Sequence, residues 1–306
     1  MSGGGTLEPT ADVHAFLKKL TTLSPITREQ YIDRLKVLER GLEKEIYAII
    51  KDAKQSIAWI RAQYKSDVTQ KALFSVVLSV FRHVPGVKEK YATQHTLWVE
   101  AFQKVDSAIE ERYNKNEPTQ KQRDGYVPYP DFIKMRDKLD KGSIERLLLA
   151  MYTYIRPLRA DYNKVRLYKS VPAGKHEPNY ISMTKAGCHM HLEEYKTAKT
   201  YGAYELDLPA ELCTEIRASL DKWPRQYLFT MKNDVPFHKP NSFTKWANRI
   251  LQTQFEPKTP TLTMLRHSYI NTLDFNKLTV AERMEEAKLM AHNKDVQEIY
   301  RLHMDK

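Results

Sequence analysis

The spacing of apolar residues changes once along this chain, and that change limits what the chain can fold into. Across residues 11–112 apolar side chains recur three and four positions apart, as at Val13, Leu17 and Leu20, which is the period of amphipathic helices. Farther along, short runs alternate apolar and polar residues, as strands with one buried face do. Three strands are predicted in this way, at 163–168, 188–195 and 203–208. The chain therefore begins with helices alone and continues with helices around a small sheet.

A polar, basic stretch lies between the two patterns. Residues 115–128 contain two prolines and a glycine and have the composition of a linker. We therefore predict an α+β chain, with a flexible tail (1–12), an all-helical domain (13–114), the linker and a second domain (129–306). The second domain is predicted to be mainly helical, with its three strands in one small antiparallel sheet. Its helices are predicted at 129–139, 143–154, 211–222, 242–255, 261–273 and 279–292.

Positive charge is in excess in both parts of the chain. Of the 306 residues, 49 are Lys or Arg and 38 are Asp or Glu, a net charge of +11; residues 1–115 contain 18 against 14 and residues 116–306 contain 31 against 24. Two basic parts favour a shared polyanionic partner such as nucleic acid. Only two cysteines occur, which excludes a disulfide framework and suits a reducing compartment. No apolar run approaches about 18 residues, so we expect no membrane span. The reducing compartment that the cysteines suit is the one expected of an intracellular protein.

Two arginines and a lysine are candidates for a chemical role. Arg159 precedes Asp161 by two positions, and it either pairs with that carboxylate at the surface or grips two phosphate oxygens with its guanidinium group. Arg266 borders the apolar stripe of a predicted helix, where a charge must be paired or hydrated. Lys199 lies in a predicted turn between two strands, where it is either solvated or able to protonate a leaving oxygen. Lys196 is its rival for that role.

Two residues near the end of the sequence complete the candidate set. His292 follows an apolar helix, where it either complements the helix dipole or contacts an anion. Tyr300 is either a packing aromatic or a nucleophile that forms a phosphotyrosine. His189 and His191 share one face of a predicted strand, but no third ligand follows at a spacing typical of zinc. We therefore predict no metal site and no cofactor.

The order of these residues resembles that of the tyrosine recombinases. The matching motifs are Pro-Leu-Arg-x-Asp-Tyr around Arg159, Tyr-Lys-Thr-x-Lys-Thr-Tyr-Gly around Lys199, Met-Leu-Arg-His-Ser-Tyr-Ile around Arg266, and Met-x-His followed eight residues later by Tyr300. These variants look like the integrases of eukaryotic mobile elements, virophages and large DNA viruses. The resemblance covers residues 120–306 and implies a metal-independent enzyme that cuts and rejoins DNA at specific sites. A type IB topoisomerase-like enzyme and a catalytically weakened DNA-binding relative are the alternatives.

The resemblance implies a role for each motif residue. Arg159 and Arg266 would hold the scissile phosphate and stabilise its charge. Lys199 would protonate the leaving 5′-oxygen, and His292 would hydrogen-bond the phosphate. Tyr300 would attack phosphorus and form a covalent 3′-phosphotyrosine. The implied site is therefore built from groups far apart in the sequence.

Three further residues are predicted to support this site. Asp161 would orient Arg159. The family usually has a histidine three residues before the second arginine, whereas this chain has Thr263, which cannot act as an imidazole acid or base. Either His267 or a water molecule would then take over that role.

Double-stranded DNA is the partner that the resemblance implies. The helical first domain would be the family's core-binding domain, and it would close with the catalytic domain (129–306) around a duplex, in the nucleus or a viral factory of a host cell. A homotetramer made of two dimers would assemble on the DNA. Basic side chains in the first domain and the linker would contact the phosphate backbone. The candidates are Lys65, Lys71, Arg82, Lys121 and Arg123.

Overall fold

The computed structural model describes residues 12–171, 174–291 and 300–304. The chain divides into two compact units, Met1–Lys115 and Asn116–Lys306, each with its own hydrophobic core. Two predictions lie outside the described residues: the flexible tail, apart from its last residue, and His292. In the described ranges no helix combines the length and the apolar character needed to cross a membrane.

The first unit is all-helical over its described residues, as the apolar period predicts. Its helices are α1 (Val13–Lys19), α2 (Pro25–Leu42), α3 (Ile46–Lys51), α4 (Ala53–Gln63), α5 (Asp67–His83), α6 (Val87–Lys90) and α7 (Ala92–Asn114). Ser24 and Ser66 begin α2 and α5, because each hydroxyl accepts a backbone N–H of the first turn. The long helices α5 and α7 pack against each other, and Phe74 meets Trp98 edge-on with 6.0 Å between ring centroids.

The second unit is mainly helical and contains one small sheet, which confirms the α+β class. Its helices are α8 (Gln120–Asp124), α9 (Tyr129–Lys138), α10 (Ile144–Thr153), α11 (Ala198–Tyr201), α12 (Ala210–Lys222), α13 (Pro240–Gln254), α14 (Leu262–Ile270) and α15 (Val280–Leu289). Its strands are β1 (Arg166–Tyr168), β2 (Asn179–Met183), β3 (Cys188–Leu192) and β4 (Tyr204–Leu208).

The sheet differs from the predicted one in two respects. It has four strands in the order β1-β2-β3-β4, and it is mixed, because β1 and β2 run parallel while the other pairs are antiparallel. The prediction of three antiparallel strands is therefore wrong. The missed strand, β2, buries Asn179 and Ile181 on its inner face. A polar residue at one of the three inward positions, the third being the half-buried Met183, weakens the alternating pattern that identifies strands.

Helix α10 anchors the segment that holds Arg159. Its residues Leu147–Tyr152 are all buried, so this helix runs through the core of the second unit. Two buried tyrosines fix its C-terminal turn: the Tyr129 hydroxyl donates to the Tyr152 carbonyl at 3.1 Å and the Tyr162 hydroxyl to the Met151 carbonyl at 3.4 Å. The chain that leaves α10 is therefore held firmly at its start.

The segment predicted as a linker contains α8 and packs on the second unit. Thr119 and Gln122 form a capping box at the start of α8. The Thr259 N–H donates to the Asp124 carbonyl at 3.4 Å. A Cβ on Gly125 would lie 2.9 Å from the Thr259 carbonyl oxygen, so this close approach of two backbones requires glycine.

Candidate active site

Arg159 is held at both its backbone and its side chain. The Tyr152 hydroxyl donates to the Arg159 carbonyl oxygen at 2.8 Å. The guanidinium Nη1 donates to the Ala291 carbonyl oxygen at 2.9 Å, just beyond the end of α15. A guanidinium has five N–H donors, so one such bond orients the group and leaves it able to bind an anion.

Arg266 lies within α14 and is only 2% exposed. The Thr261 hydroxyl caps that helix and fixes where its first turn begins. Burial, and after it the positive charge of Arg159, lowers the pKa of Arg266 to about 10, which still leaves the group charged near neutral pH. Its Cζ lies 5.8 Å from the centroid of the Tyr300 ring. Two arginine charges and a tyrosine therefore lie close together.

Asp161 lies in the field of both arginines. Its side chain is buried, and Oδ1 accepts a long hydrogen bond of 3.4 Å from the Lys196 backbone N–H. Burial raises the pKa of the Asp161 carboxyl, while the Lys196 N–H and the charges of Arg159 and Arg266 act in the opposite direction. The carboxylate thus offsets part of the repulsion between the two arginines.

Tyr300 packs against His267. The two rings are stacked, with 4.4 Å between centroids and 21° between planes. His267 Nδ1 lies 2.6 Å from the Tyr300 carbonyl oxygen, which can only accept, so Nδ1 carries the proton. Burial lowers the pKa of His267, which keeps the imidazole neutral near pH 7. The backbone of the candidate nucleophile is therefore fixed to the helix that bears Arg266.

Lys199 lies in the connection between β3 and β4, on the short helix α11 rather than in a simple turn. Its side chain is exposed. Thr197, the residue before α11, donates from its hydroxyl to the Ala291 carbonyl at 3.2 Å. The same carbonyl accepts the hydrogen bond from Arg159. A single backbone oxygen therefore joins the segment that carries Lys199 to the arginine that follows α10.

Most, but not all, of the predicted site residues come together. The cluster consists of Arg159, Asp161, Arg266, His267 and Tyr300. Lys199 is exposed in the segment next to this cluster, and Thr263 is exposed on the first turn of α14. The assignment of catalytic roles to these residues stays a prediction.

Three residues that the sequence analysis did not single out also contribute to the site. Ala291 and Thr197 tie Arg159 and α11 together. Asn271 bonds the backbone two residues beyond Tyr300. The sequence offers only weak signals for them: a threonine before a short turn and an asparagine at a helix end.

The candidate DNA contacts differ in how accessible their side chains are. Lys65, Arg82 and Lys121 are exposed. Lys71 is half-buried, forms an ion pair with Asp106 and lies 5.6 Å from the centroid of the Phe102 ring. Arg123 is half-buried on α8.

His189 and His191 contact carboxylates of the neighbouring strand β4, and His191 also contacts Glu193, just beyond the end of β3. His189 Nδ1 lies 2.7 Å from Asp207, and the two ring nitrogens of His191 lie 3.0 Å from Glu205 and 3.1 Å from Glu193. Among the described residues no group of three or more potential ligands could hold a metal ion.

The fold is that of known integrases, although the sequence is far from theirs. No protein-family model and no curated protein matches the sequence. A dimer of lambda integrase residues 75–356 bound to a COC′ core site is 14% identical, with a TM-score of 0.57 over 95% of this chain and 93% of that one. A lambda integrase tetramer bound to a Holliday junction is 13% identical, with a TM-score of 0.55 over 96% of this chain and 76% of that one. The chain therefore has the tyrosine recombinase fold that its motifs predict.

Proposed function

We propose that this protein is a DNA strand transferase of the tyrosine recombinase type, a site-specific recombinase or integrase of a mobile or viral element. The observation that carries the proposal is the buried guanidinium of Arg266, 5.8 Å from the Tyr300 ring and beside Arg159. Buried, perturbed cations that lie beside a tyrosine and a second arginine are typical of functional sites. The fold shared with lambda integrase supports the same conclusion.

In the proposed reaction Tyr300 attacks a phosphodiester. Its phenol oxygen forms a bond to phosphorus as the bond from phosphorus to the 5′-oxygen breaks, and the phenolic proton passes to a water molecule. Arg159 and Arg266 stabilise the charge on the five-coordinate phosphorus, a role that metal ions have in other phosphoryl transfers. Lys199 donates a proton to the departing 5′-oxygen. The phosphotyrosine retains the energy of the phosphodiester, so a 5′-hydroxyl from another strand can reverse the step.

Duplex DNA inside a cell is the proposed substrate. The lambda integrase structures with this fold are dimers and tetramers bound to DNA, and we propose that this chain likewise assembles as a tetramer on its site. The exposed cations Lys65, Arg82 and Lys121 are proposed to contact phosphates. Their replacement by alanine is expected to weaken binding and to reduce its salt dependence by roughly one unit of slope for each phosphate contact.

Covalent trapping tests the proposed reaction. Nicked substrates from a library of candidate sites are incubated with the full chain, and SDS-resistant protein–DNA adducts are separated by electrophoresis. The unchanged protein is expected to form an adduct, and Tyr300→Phe to form none. Tyr113→Phe, which changes an exposed tyrosine of the first unit, is the matched control and is expected to react normally. An adduct that persists in Tyr300→Phe would contradict the assignment of the nucleophile.

Sulfur substitution tests the assignment of the general acid. Replacing the bridging 5′-oxygen by sulfur gives a leaving group that needs no proton. Lys199→Ala is expected to cleave the normal substrate at least about 100-fold more slowly and to recover on the sulfur substrate. Lys196→Ala is the matched control, and an equal loss and recovery in that variant would refute the assignment.

Formation of joined products from two labelled duplexes separates recombination from simple relaxation of supercoils.

A further inference from the structure

The backbone just beyond Tyr300 is hydrogen-bonded to the end of α14. Asn271 Nδ2 donates to the Leu302 carbonyl oxygen at 3.0 Å, and Asn271 Oδ1 accepts from the Leu302 N–H at 2.9 Å. The next residue, His303, donates its N–H to the Asn116 carbonyl at 2.9 Å, and the Leu302 side chain is buried. One side chain thus satisfies both backbone groups of one residue.

An asparagine side chain is suited to this contact. A carboxamide presents an acceptor and a donor side by side, which matches the N–H and C=O of a single residue. Asn271 is the C-cap of α14 and its backbone remains helical, so its short side chain starts from a fixed position. Aspartate would lose the donor and place a carboxylate oxygen against the Leu302 carbonyl.

Two contacts hold this segment against α14. His267 and Asn271 are four residues apart, which is a rise of about 6 Å along a helix. The backbone groups that they contact belong to Tyr300 and Leu302, which are two residues apart. His267 therefore binds the Tyr300 carbonyl while Asn271 binds Leu302, and the pair of contacts sets the register of the segment along α14.

We propose that Asn271 is a positioning residue that holds the Tyr300 segment in register on α14, so that the phenol meets the arginines of its own chain. This inference rests on the proposed function, because it concerns the delivery of the nucleophile. Asn271 does not touch the phosphate in this proposal. Asn271 acts through the backbone of residues 300–302. Because Arg266 lies on the same helix as Asn271, the helix that positions the segment also carries this arginine.

Hydrogen exchange tests the contact without requiring activity. Exchange of the Leu302 amide in the full chain is followed by mass spectrometry or NMR. Asn271→Ala is expected to accelerate it roughly tenfold or more, since two hydrogen bonds are lost, while the amides within α14 are unaffected. Thr272→Ala is the matched control, because among the described residues the Thr272 hydroxyl bonds only the Tyr269 carbonyl of its own helix end. Unchanged exchange at Leu302 in Asn271→Ala would overturn the inference.

The second arm measures adduct formation at saturating DNA. Asn271→Ala is expected to form the adduct about tenfold more slowly with unchanged DNA affinity, because nucleophile delivery is impaired and binding is not. Asn271→Asp, which keeps the size of the side chain, is expected to show the same defect. It serves in place of the alanine variant should that variant fold poorly. Normal rates in a folded variant would refute the positioning role. Absence of an adduct in the unchanged protein would instead refute the proposed function, while the exchange result would still judge the contact.

Discussion

The two units differ in what they bury. Among the described residues of the first unit, the buried polar side chains carry no charge. They are Ser56, Gln70 and Ser79. The second unit buries four charged side chains in its described part, Arg136, Asp161, Glu215 and Arg266. Burying a charge is costly unless it is paired. The second unit therefore carries a cost that the first unit avoids.

The four buried charges of the second unit fall into two groups. Arg136 bonds Asp137 and Thr153 and covers the Tyr154 ring, with Cζ 3.9 Å from the ring centroid. Glu215 accepts from Arg146, with three N···O distances of 2.7–3.0 Å. These two charges are paired with neighbouring side chains of the fold. Asp161 and Arg266 are instead gathered beside Arg159 and Tyr300, at the proposed site of reaction.

The largest effect on stability is expected at a fold-stabilising charge. Arg146 bridges Glu215 and the carbonyls of Arg136, Asp137 and Leu139. Glu215→Ala leaves that guanidinium without its anion, and we expect a loss of about 3–5 kcal/mol in the free energy of unfolding, measured by urea denaturation.

An exposed glutamate is the matched control for this loss. Glu205→Ala removes a carboxylate that contacts His191 on the open face of the sheet, and a change within about 0.5 kcal/mol is expected. Equal losses in the two variants would contradict the distinction between buried and exposed pairs. At temperatures where Glu215→Ala remains folded, its adduct formation should be normal.

The next prediction compares two buried arginines of the second unit, one expected to matter for the reaction and the other for stability. Arg266→Met is expected to slow adduct formation by about 100- to 1,000-fold, as loss of a donor to a developing negative charge does, with little loss of stability. The folded state already disfavours this charge, as its lowered pKa of about 10 shows. Arg136→Met is expected to show the reverse, a loss of about 1.5–3 kcal/mol in stability with near-normal chemistry. Both variants are measured by single-turnover trapping and thermal melting, and matching behaviour would remove the proposed division of roles.

The contrast between the two units also explains which parts of the fold and of the candidate site can be predicted from the sequence. Where apolar period alone decides burial, as in α5 and α7, the helices follow from the sequence. Arg266 is a candidate because a charge beside an apolar stripe conflicts with that pattern, and the structure places it in the interior. The strand β2 is missed because the inward-facing Asn179 breaks the alternation.

Contacts between distant segments lie beyond what the local pattern determines. Asn271 meets Leu302, 31 positions away, and Thr197 meets Ala291, 94 positions away. In neither contact does a periodic pattern or a pair of opposite charges in the sequence identify which residue meets which. Such contacts follow only from the path of the whole chain, which brings α11, α14 and the segment around Tyr300 to one place.

The smallest expected effect tests whether the first unit has a tightly packed core that unfolds independently of the second unit. Ile50 is fully buried in α3, and Ile50→Val removes one methylene group, so a loss of about 0.5–1.5 kcal/mol is expected. Because the units have separate cores, native-state hydrogen exchange should accelerate in α5 and α7 and stay unchanged in α10 and α12. Ile216→Val, the matched change in the second unit, should give the opposite distribution. If either variant accelerates exchange in both units, the two units unfold together. The cost of the buried charges would then fall on the stability of the whole molecule and not on the second unit alone.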